Sequence, residues 1–151
     1  MFLPRLSLKS DERSYSNCGD VGAMSEMENH PLILVVDDYE CNRELLRMFL
    51  LASGYIVIEA ANGLEAVKLA TRISPDLIIM DLAMPVLDGY GAVRLLREVP
   101  KLCEVPIVAC TAYDTSTHRA QAMSVGFNEF LTKPIDFMQL DFVIDRFLKA
   151  A

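Results

Sequence analysis

The sequence predicts an α/β fold built on a single parallel sheet with helices on both faces. From Pro31 onward, short continuous apolar runs rich in Val and Ile alternate with amphipathic stretches. This is the pattern of strands buried on both faces and of the helices that bury them. The alternation occurs five times with short loops between the units, which calls for right-handed crossovers between parallel strands. With 151 residues, 52% of them apolar, the chain can build one core.

The strand candidates are Leu32 to Val36, Tyr55 to Ile58, Leu77 to Met80, Pro106 to Cys110 and Glu129 to Leu131. After the first comes a helix from about Cys41 to Ala52, with Leu45, Leu46, Phe49 and Leu50 on one face and Gly54 as its stop. The second helix is Gly63 to Ile73. Asn62 stands in its capping position, Ser74-Pro75 ends it, and Leu64, Val67 and Leu69 or Ala70 point inward. The third is Gly91 to Val99, and the fourth runs from Thr115 to Val125 and stops at Gly126. Asp136 caps the fifth, which turns Phe137, Leu140, Val143, Ile144 and Phe147 inward. Five such units at this length suit a flavodoxin-like doubly wound fold with strand order 2-1-3-4-5.

Residues 1–30 read differently. The segment is mostly polar, lacks apolar periodicity and is expected to be a flexible leader ahead of a domain at 31–151. Pro4 and Arg5 interrupt its opening apolar residues before a signal-peptide core forms. Charged or polar residues break every later run short of a membrane span. The net charge of -7 argues against direct nucleic-acid or anionic-membrane binding, which relies on clustered Lys and Arg. Cys18, Cys41, Cys103 and Cys110 form no CxxC pair and have no His at zinc spacing, so reduced thiols in a cytoplasmic protein are expected.

In a doubly wound sheet, function gathers beyond the carboxyl ends of the strands near the switch in strand order, here strands one and three. Strand one ends in Asp37-Asp38, strand three in Asp81, strand four in Thr111, and strand five shortly before Lys133. Taken singly, each has a plain reading: Asp37 or Asp38 as a helix cap, Asp81 as a turn residue, Thr111 as a strand end and Lys133 as a surface charge. Together they place three carboxylates at one edge, where they repel one another unless a cation or proton intervenes. Hard oxygen ligands favour Mg²⁺, which binds through a few carboxylates together with phosphate oxygens. Pro85 and Gly89 define a turn in the segment from Asp81 to Gly89, where Asp88 reads as turn chemistry.

Asp37-Asp38, Asp81-x-x-Met-Pro-x-x-Asp-Gly89, Thr111-Ala112 and Lys133-Pro134, in this order and at these strand ends, resemble the receiver domains of two-component response regulators. The resemblance covers about Pro31 to Ala151. It implies that Asp81 takes a phosphoryl group from a phosphohistidine on a sensor histidine kinase or phosphotransfer protein. Asp38, Asp81 and the backbone carbonyl of Ala83 would hold Mg²⁺, with Asp37 acting mostly through water. Lys133 would pair with phosphoryl oxygens and Thr111 would donate its hydroxyl to one of them. Thr111 and Phe130 would form the switch, Phe130 standing where many relatives carry Tyr. A core Phe is the plain alternative for Phe130. Ala83 and Tyr113 occupy positions that in this family influence access of water to the acyl phosphate, and a Tyr113 ring is expected to slow its loss.

The expected readout surface is the face of the fourth helix, fifth strand and fifth helix, used by a monomer or weak dimer that acts through protein contacts. Three rival functions each lack a residue or run against the motif set. A haloacid-dehalogenase-type phosphohydrolase needs a second Asp two residues after the nucleophile, where Ala83 stands. A flavin module needs a Ser-, Thr- and Gly-rich phosphate loop after strand one, where the chain has Asp38-Tyr-Glu-Cys-Asn42. A receiver-like module that binds without phosphorylation is disfavoured by retention of every chemical position.

Overall fold

In the computed structural model the described residues are 30–112 and 115–149. Five strands, β1 (Leu32–Val36), β2 (Ile56–Ala60), β3 (Leu77–Met80), β4 (Ile107–Thr111) and β5 (Glu129–Thr132), alternate with α1 (Glu40–Ala52), α2 (Gly63–Ile73), α3 (Gly89–Glu98), α4 (Ser116–Val125) and α5 (Phe137–Leu148). A short 3₁₀ turn, Pro100–Leu102, separates α3 from β4. All pairings are parallel and the order is β2-β1-β3-β4-β5. That is the flavodoxin-like arrangement expected from the sequence.

Strand alternation divides the core. Ile33 and Val35 of β1, Leu77 and Ile79 of β3 and Val108 and Cys110 of β4 pack with Leu46 and Leu50 of α1 and Leu140, Val143 and Ile144 of α5. On the opposite face Leu34, Val36, Ile78, Met80, Ile107 and Ala109 meet Ala66 and Ala70 of α2, Val93 and Leu96 of α3 and Ala122 of α4. Burial on both faces is why β1, β3 and β4 are continuous apolar runs.

Boundaries move where pairing or capping outweighs hydropathy. β2 begins at Ile56 and continues to Ala60, because its ladder with β1 extends from Leu32↔Ile56 to Val36↔Ala60, through polar Glu59. β4 reaches Thr111 and β5 reaches Thr132, which pair with each other. α3 starts at Gly89 rather than Gly91, since the Asp88 side chain accepts the Gly91 N–H and so caps the helix. α4 begins at Ser116 with Thr115 as its cap, and Asn62 and Asp136 cap α2 and α5 as expected. Leu45 and Leu64 are not inward: they are 54% and 40% exposed. The stripe that α2 presents to the sheet is made of small residues, Ala66 and Ala70.

The loop from Asp81 to Gly89 is held by close backbone contacts. A Cβ on Gly89 would come within 2.4 Å of the Asp81 carbonyl oxygen, and one on Gly63 within 2.3 Å of the Leu87 carbonyl oxygen. No side chain fits at either position. Between them Leu87 N–H bonds Pro85 O at 2.8 Å across Val86, whose φ is 71°, a three-residue turn of the strained hand. Val86 is 76% exposed, so it gains little packing in return. Val86→Gly is expected to stabilise the domain by about 1 kcal/mol, relief of strain outweighing glycine's extra chain entropy. Urea unfolding tests this, and a lower midpoint in the variant refutes it.

Candidate functional site

β1 and β3 are neighbours, so the residues that follow them emerge side by side. The Asp81 N–H continues the ladder by donating to Val36 O at 2.9 Å. On the other side Lys133 N–H donates to Thr111 O at 2.8 Å, which carries Lys133 to the same edge. Asp37, Asp81 and Thr111 are 2%, 6% and 0% exposed, the buried polar residues among those described. Lys133 Nζ donates to Asp37 Oδ2 at 2.7 Å and to Asp81 Oδ2 at 3.0 Å.

Asp37 is fixed from several directions. Its Oδ1 accepts the Tyr39 N–H at 2.9 Å, and its Oδ2 also accepts from Asn42 at 3.3 Å. Arg43 donates to its main-chain carbonyl at 2.8 Å and pairs with Glu59 at 3.5 Å. Asn42 and Arg43 are positioning residues that the sequence reading did not single out. Their spacing from Asp37 of five and six residues, one helical turn beyond the strand end, was the available signal. Asp81 is less restrained. Its Oδ1 has a long contact, 3.4 Å, with the N–H of exposed Ala83.

Asp38 has the opposite problem, because its Oδ1 is buried without a hydrogen-bond partner. Oxygens of Asp37, Asp38 and Asp81 all lie within 4.8 Å of one another. Three carboxylates against the single ammonium of Lys133 leave an excess of negative charge. A hard divalent cation suits both the excess and the orphaned oxygen, so the donor set fits Mg²⁺.

The electrostatics follow from burial. Desolvation raises the Asp81 carboxyl above its ordinary value, partly opposed by the hydrogen bond and charge of Lys133 and reinforced by the charge of Asp37. For Lys133, burial pulls its ammonium down, but its hydrogen bonds to Asp37 and Asp81 and their charges outweigh that and raise it. Beneath the site, burial pushes the Cys110 thiol up to about 12, so it stays neutral. Phe130 is 1% exposed and points inward, with Thr111 fully buried on the same sheet face. Tyr113 and residues 1–29 of the expected 1–30 leader lie outside the described residues.

The sequence profile described as the response regulator receiver domain matches residues 33–145. The chain belongs to the response-regulator receiver family. A phosphoacceptor role in two-component signalling goes with that family. This receiver domain is 42% identical over 118 residues to an uncharacterized 14.6 kDa protein in the sodA1 3′ region of Leptolyngbya boryana, covering 78% of the chain and 90% of the relative. It is 43% identical over 108 residues to the response regulator PleD of Caulobacter vibrioides. That match covers 72% of the chain but only 24% of PleD. Among solved structures it resembles the receiver domain of the sensor histidine kinase PA1611 from Pseudomonas aeruginosa, with a TM-score of 0.75 and 35% identity. The match covers 80% of this chain and 98% of that one, which was solved with a magnesium ion coordinated in its active site cleft. Among the described residues no helix of the receiver domain is long and apolar enough to cross a membrane.

Proposed function

We propose that Asp81 accepts a phosphoryl group from a phosphohistidine of a sensor histidine kinase or phosphotransfer protein, with Mg²⁺ held by Asp38, Asp81 and the Ala83 carbonyl. The observation that carries this reading is the buried Asp81 carboxylate, bridged by Lys133 to Asp37 beside an unpartnered Asp38 oxygen.

Phosphoryl transfer asks a protein to position groups and neutralise charge on the equatorial oxygens. A carboxylate oxygen of Asp81 forms the new O–P bond while the N–P bond breaks, and the electron pair of that bond stays on the imidazole nitrogen. The product is an acyl phosphate. Lys133 already spans two carboxylates and is placed to bond the incoming phosphoryl oxygens. Thr111, at the end of β4, supplies a hydroxyl beside them. Asp37, held by Tyr39, Asn42 and Arg43, keeps the Lys133 ammonium beside Asp81. The bound Mg²⁺ would supply charge neutralisation for the phosphoryl oxygens and for the three Asp side chains. The domain uses this chemistry on itself and hands the result on through changed protein contacts.

Acetyl phosphate tests the proposal. Incubation with Mg²⁺ is expected to add one phosphoryl group to the parent by intact mass, with none after chelation by EDTA and none in Asp81→Asn. Equal addition to parent and variant would place the acceptor elsewhere. No addition to either would favour a receiver that works by binding alone.

A further inference from the structure

β5 presents Phe130 on the sheet face that α4 covers. Arg119 of α4 sets its guanidinium carbon 4.8 Å from the centroid of that ring. Phe130 pairs with Ala109, and Thr132 with Thr111. Residues two apart share a strand face, so Phe130 and Thr111 stand diagonally on one face. Both are buried, the ring 1% and the threonine 0% exposed.

The residue before the ring supplies a countercharge. Glu129 Oε1 accepts the Phe130 N–H at 2.9 Å, and its Oε2 accepts from Arg146 of α5 at 2.6 Å. Burial works to raise the Glu129 carboxyl. The Phe130 N–H, the Arg146 hydrogen bond and the charges of Arg146 and Arg119 outweigh it and hold the group below its ordinary value. The carboxylate stays ionised and draws Arg119 toward the edge where its guanidinium covers the ring.

We propose that Arg119 is a positioning residue for the switch: lying over Phe130 and beside Glu129, it biases the ring inward before any phosphoryl group arrives. Phe has no hydroxyl with which a hydrogen bond can reward either position, so the balance falls to packing and to this cation. Arg119 is solvent-exposed, and a cation–π contact of that kind biases a two-state equilibrium by about two- to fivefold. Whatever favours the inward state raises the affinity of a ligand that prefers that state, by at most the same factor. This consequence rests on the phosphoacceptor reading.

The test uses protein labelled with 4-fluorophenylalanine, the Phe130 resonance being assigned from Phe130→Leu. Without ligand, Arg119→Met is expected to shift and broaden that resonance while the thermal midpoint stays near the parent's. Arg119→Lys restores it at least in part. Affinity for beryllofluoride with Mg²⁺ falls in Arg119→Met by no more than about fivefold. An unchanged resonance in Arg119→Met would show the ring held by packing alone, and Arg119→Lys behaving like Arg119→Met would remove the role of charge. Either result overturns the proposal. Failure of the parent to bind beryllofluoride would count against the phosphoacceptor reading instead, while the unliganded spectra still decide the role of Arg119.

Discussion

Lys133→Met is expected to cost the domain about 2–3 kcal/mol at pH 7 and to slow phosphoryl uptake from acetyl phosphate on the order of 100-fold. The stability loss comes from leaving the side chains of Asp37 and Asp81, 3% and 7% exposed, without their shared cation. Breaking a fully buried pair costs about 3–5 kcal/mol, and the lower figure allows for solvent screening at Lys133, whose side chain is 18% exposed. The loss depends on pH with a definite sign. The Asp81 carboxyl is already raised by burial, with Lys133 opposing, so removing Lys133 raises it further. A group raised in the folded state contributes stability that is present below its unfolded value and lost as pH rises through its folded value. The variant should therefore match the parent near pH 3 and fall behind as pH climbs through the raised value. Urea unfolding across pH 3–8 measures this; a gap that is constant with pH, or widest at low pH, refutes it.

Asp38→Ala is expected to reverse its stability ranking against the parent when Mg²⁺ is added. Without the ion the variant is the more stable by about 1 kcal/mol, because it removes a buried acceptor that has no partner. With the ion the parent gains stability by mass action, roughly 2.7 kcal/mol at a hundredfold excess over Kd. The variant, short of one carboxylate ligand, binds about 100-fold more weakly and gains little. Thermal unfolding with and without MgCl₂ reads both effects. A variant that is less stable without the ion, or that gains as much from it as the parent, refutes the assignment of Asp38 as a ligand.

Both expectations concern residues whose types and strand-end positions were readable in advance. Parallel strands buried on both faces leave a period-free apolar run, and β1, β3 and β4 were found on that basis. The weaker elements misled. Glu59 hid the last part of β2, and Leu45 and Leu64 look inward on a helical wheel but are exposed. Asp88, turn chemistry by its sequence, caps α3.

The site divides in the same way. Asp37, Asp38, Asp81, Thr111 and Lys133 are legible as chemistry-bearing types placed where apolar runs end. Asn42 and Arg43 are not, since a polar residue in the first turns of a helix is ordinary until its partner is known.

Local patterning and motif spacing thus determined the family, the strand order and the cluster of acids, because burial on two faces and fixed strand-end chemistry are both written along the chain. Only the tertiary structure decided that Lys133 bridges Asp37 to Asp81, that Asp38 keeps an unpartnered oxygen, and that Arg119 lies over Phe130. Each is a contact between residues on different elements, or the lack of one. Ångström-scale distances between such segments are set by how the helices pack on the sheet, which residue order alone does not encode.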